Sequence, residues 1–216
     1  MDGVFITFEG PDGSGKSTQM KMLAGYLVSR GIDVLSTREP GGTPLGNRLR
    51  EALLQTEEHV DPLAELLLYA ADRAQHVRTV LRPSLARGQI VLSDRYADAT
   101  RAYQGAGRGF SPRMIGNVID LATDGLRPHL TLLFDLPIED SLARTNRRAK
   151  GDRDRLDAED SDFHARVRDS YLRLASAEPR RIKIVSATGT VNETQAQVLD
   201  IIIPFLRKKK KSIASR

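Results

Sequence analysis

The chain has no cysteine and no tryptophan, only six phenylalanines, and no apolar run near the roughly 18 residues of a membrane span. Without cysteine there can be no disulfide, thiolate metal site or cysteine nucleophile, which suits a reducing compartment. The N-terminus shows no basic stretch followed by an apolar one, so neither secretion nor membrane insertion is expected and the predicted location is cytoplasmic. Internal repeats and long linkers are also missing. Acidic residues are fewer than basic ones, giving a formal charge of +5, but the imbalance is local. Residues 207–216 carry six basic side chains and no acid, and without them the charge is −1. A near-neutral body lacks the basic face that nucleic acid requires. The tail reads as a solvated, disordered end, the minority alternative being contact with a polyanion or membrane surface.

With 216 residues, 40% of them hydrophobic, the chain suits one domain with a sizeable core. Residues 1–206 are expected to form it. Short β-branched segments recur at Val4–Phe8, Asp33–Thr37, Gln89–Ser93, Leu130–Leu136 and around Lys183–Val185. Between them lie helical patterns, among them 16–31, a long one over Pro62–Ala86, and others at Ile138–Ala149, Phe163–Ala177 and Asn192–Leu206. Such alternation predicts an α/β fold, a five-stranded parallel sheet with helices on both faces. Arg144–Asp160 breaks the pattern, with charges of both signs and almost no apolar residue. It reads as a solvated helix end with a loop, or as a mobile lid over about 145–160.

Residues Gly10, Pro11, Asp12, Gly13, Ser14, Gly15, Lys16 and Ser17, followed by Thr18, fit G-x-x-x-x-G-K-[ST] between a predicted strand and a predicted helix. Glycines there let successive N–H groups turn inward around phosphate oxygens, and the helix offers its positive end to the same anion. Lys16 is placed to reach the β- and γ-phosphates of a nucleotide, and Ser17 to ligate Mg²⁺. No N-K-x-D guanine-reading motif is present, and the length leaves little room for motor domains. A small-molecule phosphotransferase is the economical expectation.

Three further motifs fall near strand ends, where open α/β sheets bind ligands. In TREPGGT, Arg38 could fork onto an acceptor phosphate or simply pair with Glu39. In YAADR, Tyr69 and Arg73 are four apart on one helix face, suited to stacking on a base and bonding its edge, although Tyr69 could be plain core filling. In SDRY, Asp94 stands where a carboxylate would help hold Mg²⁺, with Arg95 beside it, or the two form a structural ion pair.

The order FEGPDGSGKST, TREPGGT, YAADR, SDRY, AYQGAGRG and a basic segment resembles the thymidylate kinase family from about Val4 to Phe205. That resemblance implies a P-loop kinase fold, usually homodimeric, which moves the γ-phosphoryl of ATP·Mg²⁺ to dTMP. It puts Asp12 near the acceptor's 3′-hydroxyl and Arg38 and Arg95 on its phosphate. Tyr69 takes the stacking position, normally Phe, and Arg73 the base-bonding one. Thr100 and Gln104 fall at base-pocket positions, and Tyr103 at the one that crowds a ribose 2′-hydroxyl. Some members carry a basic residue where this chain has Gly13. The similar bacterial subgroup draws arginines from its lid, which favours the lid reading and makes Arg148, Arg153 and Arg155 the catalytic candidates beside Lys16 and Arg95. Remaining alternatives are a kinase for another nucleotide, a non-catalytic nucleotide switch, and a nucleic-acid binder using Lys208–Lys211.

Overall fold

In the computed structural model of the chain, residues 3–56, 58–146 and 155–214 are described, with side chains to residue 209. Five strands, β1 (Val4–Glu9), β2 (Val34–Arg38), β3 (Ile90–Asp94), β4 (Leu130–Asp135) and β5 (Ile182–Ser186), form one parallel sheet in the order β2-β3-β1-β4-β5. The strands expected from sequence are these five, with no end shifted by more than one residue. Register aligns Arg38 with Asp94 and Asp94 with Phe8, so the carboxyl ends of β2, β3 and β1 form one edge. Because the chain winds outward to both sides of β1, its carboxyl end is where a ligand crevice forms.

Helix α1 (Lys16–Val28) and helix α9 (Val191–Ala214) cover one face of the sheet. Alternation along β1 sends Ile6 and Phe8 to that face, where they meet Met20, Leu23, Leu27, Val198 and Ile202. Phe5 points to the opposite face and packs with Leu66, Val77, Leu81, Ile115 and Ile119. Leu23 has no exposed surface, and its truncation to alanine would cost about 2–5 kcal/mol.

That second face is built from α2 (Pro44–Leu54), α3 (Pro62–His76), α6 (Pro112–Thr123) and α8 (Ser161–Ala177). Three of them begin alike, with proline in the first turn after a capping side chain: Thr43, Asp61 or Ser111 accepts a backbone N–H that the helix leaves orphaned. Helix α3 runs through a π-helical turn, Val77–Leu81, into α4 (Arg82–Ala86), which together make the long helix expected over Pro62–Ala86. After β3, α5 (Ala97–Thr100) widens into a second π-helical stretch, Arg101–Gly107. A Cβ at Gly107 would lie 2.6 Å from the Phe163 ring, so glycine lets this stretch press against α8.

Helix α7 (Ile138–Asn146) follows β4, and a 3₁₀ turn (Arg155–Ala158) precedes α8. Half of the expected lid, residues 147–154, lies outside the described residues. One difference from the sequence concerns the C-terminus, where α9 stays helical to Ala214 instead of ending near Leu206 in a disordered tail. Arginine, lysine and alanine are strong helix formers, and cations suit a helix C-terminus. No helix among the described residues is long and apolar enough to cross a membrane.

Candidate active site

The loop between β1 and α1 depends on glycine at two places. Gly10 has φ +136°, and a Cβ there would stand 2.4 Å from the Phe134 carbonyl oxygen, so only glycine leaves β1 this way. Gly15, φ +80°, caps α1, whose first turn holds no acid to neutralise its positive end. The Lys16 ammonium is buried against the Pro11 carbonyl at 3.2 Å and the Asp12 carboxylate at 3.4 Å. From the next layer, Ser141 donates to the Asp12 carbonyl at 2.7 Å and Arg144 to the Gly13 carbonyl at 3.4 Å. Helix α7 thus braces the loop where this chain has glycine in place of a basic residue.

Ser17 Oγ donates to Asp94 Oδ2 at the carboxyl end of β3. A hydroxyl and one carboxylate side by side, open to an incoming phosphate, suit Mg²⁺, which keeps most of its shell for water and phosphate oxygens. No group of three or more His, Cys, Asp or Glu that could hold a metal by itself occurs among the described residues.

Arg95 takes φ +68°, a left-handed backbone costing about 1–3 kcal/mol in a non-glycine residue. Several bonds hold it there. Its N–H donates to the Phe8 carbonyl at 2.9 Å, and its guanidinium reaches both Asp12 oxygens at 2.8 Å and the Gly10 carbonyl at 3.2 Å. Tyr103 donates to Asp12 Oδ2 at 3.1 Å and accepts from Arg95 at 3.0 Å. Burial alone would lower the Arg95 pKa, but the Asp12 charge and its neighbours raise it well above the usual value. Just behind, Glu9 is fully buried, accepting from Tyr96 N–H and the Tyr171 hydroxyl, both at 2.8 Å. Burial, helped by the Asp98 charge, pushes its pKa up to about 8, so it is neutral at pH 7.

Beside this cluster opens a cleft enclosing about 530 Å³, part of it continuous with solvent. Of the residues expected to hold the acceptor, Asp12, Tyr69, Arg73, Arg95, Thr100, Tyr103 and Gln104 all line it. Arg38 does not, and instead faces a neighbouring groove with Ser17 and Asp94. The two walls of the SDRY turn therefore face different spaces, with Asp94 on the Arg38 side and Arg95 on the cleft side.

Arg73 is buried and clamped. Its Nε donates to Glu39 Oε2 at 2.7 Å, Nη1 to Thr100 Oγ1 at 2.8 Å, and Nη2 to the Tyr96 carbonyl at 2.9 Å. Of the five N–H groups of an arginine, two are left over from these bonds. Glu39 is itself fixed by His76 Nδ1 at 2.9 Å, whose Nε2 lies 2.7 Å from Thr37 Oγ1. On the same helix Asp72 accepts from Gly41 N–H at 3.1 Å, and burial next to Glu39 pushes its pKa up to about 6. The TREPGGT loop and α3 are thus tied together by polar bonds as well as by packing.

Several residues of the cleft escape a sequence reading. Glu39 was weighed only as a partner for Arg38, whereas it holds Arg73. Arg50 lines the cleft and donates to the Pro40 carbonyl at 3.1 Å, and Leu156 closes another side. Glu65, one turn before Tyr69, is fully buried, accepting from Gln104 Nε2 at 2.8 Å and Arg108 Nη2 at 3.0 Å. Arg155 joins it there, and also donates to the Leu53 carbonyl at 3.2 Å. The structure therefore places Arg155 under α3 and not at the phosphate loop, because a buried carboxylate attracts the nearest guanidinium. Arg148 and Arg153 lie outside the described residues. A charged residue one turn before YAADR, in the otherwise apolar stretch 62–68, is the one signal that points to Glu65.

A parallel sheet with this strand order, a phosphate loop after β1 and an arginine-lined cleft beside it define a P-loop kinase of the nucleoside monophosphate type. Residues 8–198 match the family model described as thymidylate kinase. A thymidylate kinase of Geotalea uraniireducens is 47% identical over 209 residues, 94% of this chain and 98% of that protein. The thymidylate kinase of Deinococcus radiodurans is 50% identical over 91% of this chain and 94% of its own length. Among solved structures, thymidylate kinase from Ehrlichia chaffeensis superposes with a TM-score of 0.78 at 33% identity, covering 94% of this chain and all of that one. The chain belongs to the thymidylate kinase family, the ATP-dependent phosphotransferases that convert dTMP to dTDP.

Proposed function

We propose that in this chain the transfer from ATP to dTMP takes place between the Gly10–Thr18 loop and the cleft lined by Tyr69, Arg73 and Gln104. The observation that carries it is the Arg95–Asp12–Tyr103 cluster, which joins the end of the phosphate loop directly to the wall of the cleft. The loop's N–H groups and Lys16 hold the donor phosphates, Arg95 binds the acceptor phosphate, and Arg38 reaches the phosphates from the neighbouring groove. Tyr69 stacks on the base while the remaining N–H groups of Arg73, and Gln104, meet its edge. Thr100 serves chiefly by holding Arg73. Tyr103 narrows the cleft beside Asp12, and its bond to that carboxylate fixes it against an incoming 2′-hydroxyl.

An acceptor phosphate oxygen attacks the γ-phosphorus in line. The bond from phosphorus to the β,γ-bridging oxygen breaks, its electron pair leaving on ADP. The attacking oxygen is already deprotonated near pH 7, so no general base is required, and positioning with charge stabilisation carries the rate. Mg²⁺, held by Ser17 and Asp94 through ATP, would neutralise charge on the β- and γ-phosphates. Arg148 and Arg153 are retained as the arginines that meet the transferred group. Arg155, engaged by Glu65, anchors the segment that carries them.

Exposed leucines on adjacent helices, Leu45 on α2, Leu63 and Leu67 on α3 and Leu121 on α6, support a homodimer through that face. A cytoplasmic location and a single kinase domain over residues 1–206 complete the proposal. A coupled ADP-release assay with ATP·Mg²⁺ against dTMP, dUMP, dCMP, UMP, AMP and thymidine tests it. Turnover with dTMP far above the others is expected, and a preference for another acceptor would overturn the base-pocket assignment.

A further inference from the structure

We infer that Glu65 is a specificity-determining positioning residue: it holds the Gln104 amide so that the cleft presents a carbonyl oxygen, an acceptor, to the edge of the base. This rests on the cleft being the acceptor site. A glutamine side chain can offer a pyrimidine either its NH₂ or its oxygen, and the two orientations nearly superpose in shape. Chemistry elsewhere must decide between them.

Glu65 decides it because an ionised carboxylate only accepts hydrogen bonds. Its side chain is wholly buried on α3, and Gln104 Nε2 donates to its Oε1 at 2.8 Å. The same carboxylate is flanked by two guanidiniums, Arg108 Nη2 at 3.0 Å and Arg155. Burial alone would raise its pKa, yet these bonds hold it below the ordinary value, so the acceptor-only form persists at every working pH. One of its two amide N–H groups is given to Glu65, which turns the nitrogen toward α3 and the oxygen toward the cleft that Gln104 lines.

The consequence is chemical discrimination. Thymine and uracil carry an N–H at N3, a donor that this oxygen can accept. Cytosine carries a lone pair at N3, which would face the oxygen with repulsion and leave both unpaired. A site built to pair a substrate N–H rejects the analogue that lacks it far more strongly than shape alone can. Glu65 would then set selection against cytosine without touching the substrate, whereas selection between thymine and uracil would be untouched by it. Tyr69 and Arg73 follow Glu65 at successive intervals of four on α3, so the residue that orients the amide shares a helix face with those that meet the base.

Binding constants of dTMP, dUMP and dCMP, measured by calorimetry, test this on the full chain. In Glu65→Gln, whose neutral amide can donate or accept, the dCMP-to-dTMP Kd ratio should fall about tenfold while the dUMP-to-dTMP ratio stays fixed. KM for dTMP should rise with kcat little changed. Glu65→Asp keeps an acceptor-only group and should retain the dCMP ratio. In a Gln104→Leu background, Glu65→Gln should have no further effect on that ratio. A dCMP ratio unchanged in Glu65→Gln, or one that falls equally in the Gln104→Leu background, overturns the inference while leaving dTMP phosphorylation established. Should Glu65→Gln not fold, NMR of the wild type decides. Slowly exchanging Gln104 side-chain amide protons support the inference, and amide protons that exchange at the rate of a solvent-exposed glutamine overturn it. Wild-type chain that binds none of the three nucleotides overturns the site reading and this inference with it.

Discussion

The donor end and the acceptor cleft of this enzyme are built on opposite plans. In the proposed donor site the working groups are backbone N–H groups of the Gly10–Thr18 loop, where Pro11 alone lacks one, backed by Lys16 and a helix end. Their geometry is dictated locally by Gly10 and Gly15. In the proposed acceptor site the working groups are side chains, three of them held by carboxylates: Asp12 for Arg95, Glu39 for Arg73 and Glu65 for Gln104. Partners lie 83, 34 and 39 residues apart in the chain. A phosphate needs only a ring of donors, which backbone supplies cheaply in entropy. Reading one base against another needs oriented polar side chains, and those must be locked by something that cannot relax.

This contrast can be broken from either side. The largest effect is expected at the donor end, where Lys16→Ala should lower kcat by about a thousandfold in a steady-state assay, the scale of losing a transition-state charge contact. Near-normal turnover would end the phosphate-loop assignment. At the acceptor end Arg73→Ala should cost about 100-fold in kcat/KM for dTMP with the KM for ATP unmoved, since a hydrogen bond to a charged group is worth about 1.5–3 kcal/mol. Glu39→Gln, which loosens the clamp but leaves the arginine, should cost less, about tenfold, and mostly in KM. Equal losses for the two would mean that Glu39 acts on the substrate itself.

Two smaller effects sharpen the comparison. Glu9 underlies both regions, and its folded pKa near 8 lies above the unfolded value, so the folded state binds its proton more tightly. Stability from this group is full below about pH 4.5 and is lost as pH rises through about 8. Glu9→Gln, which can keep the bonds to Tyr96 and Tyr171, should flatten the fall in Tm between pH 5 and 8 by several degrees. An unchanged Tm profile would show that Glu9 ionises normally. Smallest for catalysis is Leu67→Glu on the exposed leucine face, which should shift sedimentation from dimer to monomer and leave kcat within about twofold at saturating substrate.

Much of the frame was legible beforehand. All five strands and the long helix over Pro62–Ala86 were readable because burial on both faces makes strands apolar and β-branched, and glycine punctuates their ends. Seven of the eight residues expected to bind the acceptor do share one cleft, Arg38 being the exception. Direction and pairing were not legible. Arg38 ends β2 one strand away from Arg95, and in-register pairing with Asp94 turns it to the other side of the edge. Arg155 is a catalytic candidate through the resemblance to the bacterial subgroup with lid arginines, whereas a carboxylate 90 residues earlier in the chain holds it. The C-terminal charge run suggested disorder, although its residues are good helix formers continuing an established helix.

By itself, then, the sequence determined the sheet and the phosphate loop, because each depends on contiguous residues or on the pattern of burial along a strand. The clamp on Arg73, the facing of Arg38, the anchorage of Arg155 and the bond of the Gln104 amide to Glu65 were decided only by the tertiary structure. Those features depend on which carboxylate meets which donor in a desolvated cleft, where an unpaired charge costs several kcal/mol and each group therefore takes the partner the fold brings within reach.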